Sequence, residues 1–155
     1  MTLPLVNTDT TALPTDDVPW AELSEGIEIK YLRRGGASGT YTIITRFAPG
    51  TVLPRHQHFG EVHAYTMQGR WHYQEYDWWA EAGSYAYEPP GSTHTLEVPA
   101  DATEPAVVMF VIQGGLVLLD DDDRPWWVED AQGLYNHYVA ALEGRGIPVP
   151  TGILP

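Results

Sequence analysis

Two short segments, in a fixed order, constrain this chain most. The first runs from Gly50 to Gly69 and carries His56 and His58; the second runs from Gly83 to His94 and contains a Pro-Pro-Gly turn. Side chains two apart on an extended strand leave the same face, so the first two imidazoles should point the same way. Neutral imidazole is the commonest protein metal ligand, so we predict a metal site from His56, His58 and His94. The alternative is two surface histidines and one unrelated core histidine.

Charge and cysteine content exclude several classes of function. The chain has 155 residues, no cysteine and a formal net charge of −13. This charge argues against a nucleic-acid surface, and a metal site without thiolates must use nitrogen and oxygen ligands. No apolar run approaches the roughly 18 residues that span a bilayer, and residues 1–15 lack the basic and apolar regions of a signal peptide. We therefore expect a cytoplasmic protein that binds neither nucleic acid nor membrane.

Length and turn content favour a single β-rich domain. Fifteen glycines and thirteen prolines are spread along the chain, which suits short strands joined by turns. We expect residues 1–19 to form an extended arm and residues 20–155 to form one domain. One helix is predicted from Asp130, as N-cap, to about Glu143. Strands are predicted at 27–33, 40–47, 62–68, 71–77, 84–88, 94–98, 106–113 and 116–119, with hairpin turns at Gly35-Gly36 and Gly114-Gly115.

The spacing of the two segments resembles the two-part signature of the cupins. In that signature, Gly, five residues and His-x-His precede a later Gly, and a second segment reads Gly, five residues, Pro-x-Gly, two residues and His. The second segment matches through His94, although the Asn often found four positions later is Val98 here. The resemblance implies an all-β fold, a small antiparallel β-barrel of jelly-roll type with a metal in its mouth. It also implies a homodimer or higher homo-oligomer.

The fourth metal ligand departs from the general cupin pattern. Many cupins carry a Glu seven residues before the Gly that closes the first segment, and that position is Val62 here. If a two-residue turn at Gln68-Gly69 or Gly69-Arg70 joins two paired strands, Glu75 shares a face with Val62 and points inward. Glu61 and His63 are rivals for this position, although either turn would face both away from Val62, and a site of three histidines alone is a further possibility.

The run from Val62 to Tyr76, with the tyrosines that precede Pro89, is similar to the cupins grouped with 2,4'-dihydroxyacetophenone dioxygenase. In that family, three His and one Glu hold a non-haem iron, which implies Fe(2+) on His56, His58, His94 and Glu75 here. The family activity is oxidative cleavage of a carbon–carbon bond beside a ketone, with a small ketone and O2 as substrates. The residue types also suit zinc, nickel, copper and manganese.

Aromatic side chains are predicted to shape the pocket and to contribute to catalysis. Trp71 and Tyr73 share the predicted face of Glu75, and Tyr85 and Tyr87 precede the second segment. They could stack against an aryl ketone, and the alternative is ordinary core packing. Two functions of other classes remain open, a zinc-binding regulatory cupin and a ligand-binding cupin without catalysis.

Overall fold

The computed structural model describes residues 10–154, so the first nine residues of the predicted arm lie outside the described residues. Twelve strands and one α-helix are present in this part of the chain. The elements are β1 (Ala21–Ser24), β2 (Ile27–Arg33), β3 (Thr40–Phe47), β4 (Val52–His58), β5 (Val62–Gln68), β6 (Arg70–Tyr73), β7 (Ala80–Glu81), β8 (Tyr85–Glu88), β9 (Thr93–Glu97), β10 (Ala106–Gln113), β11 (Gly115–Leu119), β12 (Pro125–Asp130) and α1 (Ala131–Gly144).

The strands form two six-stranded antiparallel sheets. The first sheet has the order β1-β2-β3-β10-β5-β8, and the second has the order β12-β11-β4-β9-β6-β7. Strands distant in sequence are neighbours in both sheets, as in a jelly roll. The predicted all-β jelly-roll fold with a C-terminal helix is therefore confirmed.

The core lies between the two sheets. Along β10, Ala106, Val108, Phe110 and Ile112 are buried while the residues between them are partly exposed. This period of two matches one covered face of a sheet. Phe110 meets Trp71 of the other sheet with ring centroids 6.4 Å apart. Burial of each large apolar side chain contributes about 1.5–3 kcal/mol to the free energy of folding, so this packing holds the two sheets together.

Strands β5 and β6 are consecutive but do not pair with each other. Strand β5 lies between β10 and β8 in the first sheet, whereas β6 pairs with β9 and β7 in the second. Gly69 joins them with φ +69°, and a Cβ there would lie 2.5 Å from the Pro105 carbonyl oxygen. Only glycine tolerates this conformation and close approach. The predicted hairpin at Gly69 is therefore wrong.

The prediction of a hairpin at Gly114-Gly115 is also wrong. Strands β10 and β11, which these glycines join, belong to different sheets. By contrast, β2 and β3 do pair with each other, and Gly35 in their connection has φ +83°. The two Gly-Gly pairs therefore correctly mark where the chain turns. They do not show whether the strands on either side of the turn pair with each other.

Four predicted strands have the observed bounds, at 27–33, 40–47, 62–68 and 106–113. The strand predicted at 71–77 instead ends at Tyr73, so Glu75 lies in the turn that follows. Strands β1, β7 and β12 were not predicted, and β4 was expected only as an extended segment around His56 and His58, without bounds. Strand β12 is exposed along most of its length and lacks the alternation that identifies a half-buried strand.

Helix α1 begins after its predicted cap. The Asp130 side chain accepts a hydrogen bond from the Gly133 backbone N–H, 2.8 Å away. Leu134, Tyr138 and Leu142 are the buried face of the helix, which packs against β1, β2 and β12. The helix therefore covers the edge strands β1 of the first sheet and β12 of the second.

The described part of the predicted arm contacts the domain. Val18 is fully buried, Lys30 Nζ donates to the Thr15 carbonyl oxygen, and Tyr138 Oη donates to the Pro19 carbonyl oxygen. No helix between residues 10 and 154 is long and apolar enough to cross a bilayer.

Candidate metal centre

Three histidines from two neighbouring strands meet inside the sandwich. His56 and His58 extend from one face of β4, and β9 places His94 directly opposite His56. The three residues are 2, 4 and 1% exposed, respectively. Ring centroids are 4.8–5.3 Å apart, and one ligand nitrogen from each residue lies within 4.8 Å of the others. The structure thus brings the three predicted histidines together.

The carboxylate beside these imidazoles belongs to Glu88, the last residue of β8. Its Oε2 lies 3.0 Å from His58 Nε2 and 3.3 Å from His94 Nε2, and its Oε1 accepts a hydrogen bond from Tyr73 Oη. The Glu88 side chain is 3% exposed. Strand pairing sets Glu88 directly opposite Val62, the position where many cupins carry their Glu. A carboxylate on the neighbouring strand therefore reaches the same part of the interior.

Glu75 does not contact the imidazoles, which corrects the ligand predicted from the hairpin. Its Oε1 lies 3.1 Å from Arg55 Nη1, and its Oε2 accepts a hydrogen bond from the Thr95 backbone N–H at 2.9 Å. The side chain is partly exposed. The physical reason is the crossing at Gly69, which carries β6 into the other sheet and leaves Glu75 beyond its end. The rival His63 also points away, since its ring lies beside Tyr85 and Glu61 on the outer surface.

Of the four aromatic residues predicted to shape the pocket, only Tyr73 contacts the centre. Its ring stacks on His94, with centroids 3.7 Å apart and planes 14° apart. Trp71 is buried core, donating from Nε1 to Thr66 Oγ1. Tyr85 and Tyr87 are 61% and 51% exposed and lie on the outer face of β8, so their predicted place in the pocket is wrong. Side chains alternate along β8, so Tyr85 and Tyr87 leave the face of the strand opposite to that of Glu88.

Burial controls the protonation of this cluster. Desolvation, followed by the neighbouring His58 and His94 rings, lowers the pKa of His56 to about 3. His56 Nδ1 also lies 2.8 Å from the Pro54 carbonyl oxygen, which fixes its ring. Burial alone would raise the pKa of Glu88, but the adjacent His58 and His94 nitrogens outweigh it and lower that pKa. Burial and the nearby Glu88 hold the pKa of Tyr73 well above its usual value. Near neutral pH, His56 is therefore neutral and Glu88 is ionised.

The cluster fits a divalent metal by two observations. First, His58 Nδ1, His94 Nε2 and Glu88 Oε2 are buried without a properly directed hydrogen bond from residues 10–154. Second, three nitrogens and a carboxylate match the donors preferred by iron, zinc, nickel and manganese. Buried polar groups without partners are costly, and a bound cation would satisfy them.

An apolar cavity adjoins the centre. Its volume is about 150 Å³, and His56, His58 and Tyr73 contribute to its wall. The other lining residues come from both sheets and the helix: Leu23, Ile27, Ile29, Tyr41, Ile43, Thr45, Phe47, Leu53, Leu96, Phe110, Ile112, Leu116, Leu118, Glu129 and Leu134. Of these lining residues, all of them between residues 10 and 154, Glu129 alone is acidic. A small, mostly apolar ligand could thus lie against the imidazoles.

Sequence reasoning missed Glu88 and Glu129. Glu88 could have been found from the alternation of side chains along a short strand that ends before Pro89. In that strand, Ala86 and Glu88 share one face, and Tyr85 and Tyr87 share the other. Choosing between Glu88 and Glu75 required knowing that β8, and not β6, pairs with β5. Glu129 gave no comparable signal, since β12 has no alternating pattern.

The chain was compared with known families and structures. The model of the ChrR cupin-like domain matches residues 8–117. No curated protein matches the chain. An RmlC-like cupin from Ralstonia eutropha JMP134 is 30% identical, with 92% of each chain covered and a TM-score of 0.84.

Two more distant structures share the fold. An acetylacetone dioxygenase from Acinetobacter johnsonii is 16% identical, with 91% of this chain and 98% of that chain covered and a TM-score of 0.78. The anti-sigma ChrR complex with SigE from Rhodobacter sphaeroides is 19% identical, with 64% and 52% covered and a TM-score of 0.55. With its two-part histidine signature, its jelly-roll fold and the match over residues 8–117, the chain belongs to the cupins, in the family of the ChrR cupin-like domain.

Proposed function

We propose that this chain is a non-haem iron(II) dioxygenase that cleaves the carbon–carbon bond beside a ketone in a hydroxyketone or β-diketone, using O2. The observation that carries the proposal is the buried group of three histidines, two of which, His56 and His58, line an apolar cavity. One structure with the same fold is that of an acetylacetone dioxygenase, although 16% identity shows only the fold. The resemblance of the Val62–Tyr76 run to the dihydroxyacetophenone dioxygenase group supports the same chemistry.

His56, His58 and His94 would hold the iron, and Glu88 would either take a fourth position or neutralise charge beside two of the imidazoles. Iron(II), when bound, supplies electrons to O2 and a Lewis-acidic position for ketone oxygens. Zinc has no accessible redox change, so it would fill the site without supporting this reaction.

The protein's own residues prepare the site. Tyr73 stacks on His94 and donates to Glu88, so it fixes both groups relative to one another. Because His56 is neutral near pH 7, its imidazole is available as a ligand without losing a proton. The apolar wall excludes water from the reacting groups, which limits side reactions.

Cavity size restricts the substrate class. A dry apolar cavity of roughly 150 Å³ in a protein can hold a benzene-sized ligand. The cavity here is about the same size, which favours a single ring or a short aliphatic diketone. Large polycyclic ketones do not fit.

The decisive experiment is oxygen uptake by iron-loaded protein that has been purified anaerobically. We expect O2 consumption in a one-to-one ratio with a hydroxyketone or β-diketone and release of two carbonyl or carboxyl fragments. Zinc-loaded protein is the matched control and should consume no O2. No uptake by the reduced iron form with any ketone, or equal uptake by both metal forms, would overturn the proposal.

The second candidate is a zinc-binding regulatory cupin without catalysis. The observation that favours it is the family match, because the ChrR whose structure shares the fold is described as an anti-sigma protein. Under this alternative, zinc and iron forms should both lack oxygen uptake, and metal removal should change binding of a protein partner. A homodimer stays a prediction that sedimentation equilibrium can test.

A further inference from the structure

The side chain of Glu75, which does not contact the imidazoles, extends the pairing of β6 with β9. Strand β6 ends at Tyr73, and the chain turns after it. The Gln74 N–H still donates to the Thr95 carbonyl oxygen at 2.9 Å, and Glu75 Oε2 accepts from the Thr95 N–H at 2.9 Å. The carboxylate therefore takes the part that a backbone carbonyl would take in a longer β6. The residue it holds, Thr95, directly follows His94.

Strand β4 contains a β-bulge next to His56. Its register against β9 shifts between Leu53 and His56. Pro54 and Arg55 therefore together face the single residue Thr95. A bulge of this kind interrupts the ladder of hydrogen bonds and changes the direction of neighbouring side chains. The Pro54 carbonyl oxygen lies 2.8 Å from His56 Nδ1, and a donor at Nδ1 leaves Nε2 for a metal. The shape of the bulge thus sets the direction of this ligand.

A side-chain bridge on the outer face of the second sheet spans the bulge. Arg55 Nη1 donates to Glu75 Oε1 at 3.1 Å, and Arg55 Nε donates to Asp123 Oδ1 at 2.6 Å. Asp123 lies in the turn between β11 and β12, so the contacts run from that turn through β4 to β9. The three side chains are between 30 and 62% exposed, and ion pairs of this kind contribute little to folding stability. What the bridge restrains is the position of β4 relative to β9.

We propose that Glu75 and Arg55 are positioning residues for the metal centre. They hold β4 and β9 at the spacing that aims His56 and His94 at one ion. These two histidines are directly paired, Arg55 precedes the first of them, and Thr95 follows the second. Loss of the bridge would leave the Thr95 N–H without its acceptor and the bulge without its restraint. The inference rests on the metal binding in the proposed function, and it applies to an iron or a zinc site alike.

The test compares cobalt(II)-loaded wild-type protein with variants of the full-length chain. Glu75→Ala removes both contacts of the carboxylate. Glu75→Gln retains an acceptor oxygen for the Thr95 N–H but loses the charge that pairs with Arg55. Glu28→Ala is the matched control, because it breaks a similarly exposed ion pair with Arg46 in the first sheet. The visible absorption spectrum of cobalt(II) reports the geometry of its ligands, and competition with a chromogenic chelator gives the Kd for zinc.

We expect Glu75→Ala to shift the cobalt absorption bands and to weaken zinc binding about tenfold, the lower end of the effect of losing a group that orients a metal ligand. Glu75→Gln should lie between this variant and the wild type. Glu28→Ala should match the wild type in both measurements. Thermal unfolding of the metal-free proteins should change little, because the ion pairs are partly exposed.

A wild-type spectrum and zinc Kd in Glu75→Ala would overturn the proposal, whatever the thermal stability of that variant. An equal change in Glu28→Ala would also overturn it, as would a wild-type protein that binds neither metal. If Glu75→Ala does not fold, wild-type values in both Glu75→Gln and Arg55→Met would contradict the proposal. A wild-type protein that binds both metals and, loaded with iron, consumes no O2 would contradict the dioxygenase function alone, because these measurements do not involve oxygen.

Discussion

Two clusters of the same residue types lie on opposite faces of strand β8. The inner cluster comprises His58, His94, Tyr73 and Glu88, and the outer cluster comprises Glu61, His63, Tyr85 and Tyr87. Each contains a carboxylate in contact with imidazole and a tyrosine hydroxyl. The inner side chains are buried, whereas those of His63 and Glu61 are 41% and 45% exposed.

The difference between the clusters is access to water. Two charges a given distance apart interact several times more strongly in a protein interior than in bulk solvent. Water also competes for the hydrogen bonds of the outer cluster, so each contact there contributes little. The inner cluster must satisfy its polar groups internally, and this makes it the candidate metal site. Each prediction below changes one residue of the inner cluster, or the adjacent His56, and uses a residue of the outer cluster as its control.

The largest effect is expected for His94→Ala. Metal content, measured by elemental analysis after loading and desalting, should fall from about one ion per chain to near zero, because one of three imidazole ligands is lost. The fold should survive, since the apolar core does not depend on the metal, and circular dichroism should be unchanged. His63→Ala should retain full metal content. Metal loading by the His94→Ala protein would show that the ion is bound elsewhere.

Glu88→Gln should weaken metal binding about 10- to 100-fold, as loss of a carboxylate near ligating imidazoles typically does. The amide has nearly the same volume, so the change removes mainly charge. Zinc affinity can be measured by competition with a chromogenic chelator. Glu61→Gln is the matched control and should bind zinc as the wild type does. Equal affinities for the two variants would assign Glu88 a structural role only.

Acid should destabilise the metal-free protein through His56. Its folded-state pKa of about 3 lies below the ordinary histidine value of about 6.5, so between these pH values the unfolded chain binds a proton that the folded chain does not. The free energy of unfolding therefore falls as pH falls through this window, and His56 contributes about 2 kcal/mol of that loss between about pH 7 and 5.

Urea unfolding at several pH values measures this loss. His56→Asn removes the titrating group and should reduce the acid dependence by that amount. His63→Asn removes an exposed imidazole and should retain the wild-type dependence. An unchanged slope for His56→Asn would mean that other groups of the inner cluster account for the loss.

The smallest effect is expected for Tyr73→Phe. It removes the hydroxyl that donates to Glu88 and leaves a buried carboxylate oxygen without that partner, at a cost of about 1–2 kcal/mol in the free energy of unfolding. Tyr87→Phe removes an exposed hydroxyl bonded to Glu61 and should change stability by less than about 0.5 kcal/mol. Chemical denaturation of the metal-free proteins compares the two.

The sequence predicted the fold and the three histidines because those signals are local. Strand β4 needs only its period of two to place His56 and His58 on one face, and glycines and prolines mark the ends of most strands. The capping of α1 by Asp130 is equally local. These features depend on residues a few positions apart.

The carboxylate could not be predicted in the same way because it depends on which strands are neighbours. Assuming that β5 pairs with the next strand gave Glu75, whereas its actual partners are β10 and β8. The chain crosses from one sheet to the other at Gly69. The structure shows this crossing in the close approach of Gly69 to Pro105, whereas residue spacing in the sequence does not. The same dependence on neighbours left Glu129 undetected, since its position follows from pairing with Leu116.

The direct pairing of Val62 with Glu88 has a consequence for tracing the history of this site. A carboxylate on either of two directly paired residues occupies nearly the same part of the interior. Two substitutions, one at each position, therefore suffice to move the carboxylate from one strand to the other. A protein with Glu at the first position and a small apolar residue at the second would be its equivalent. Alignments that score each column independently would count one loss and one gain where the chemistry is conserved. Homologues of this chain are therefore better compared by the joint identity of these two positions.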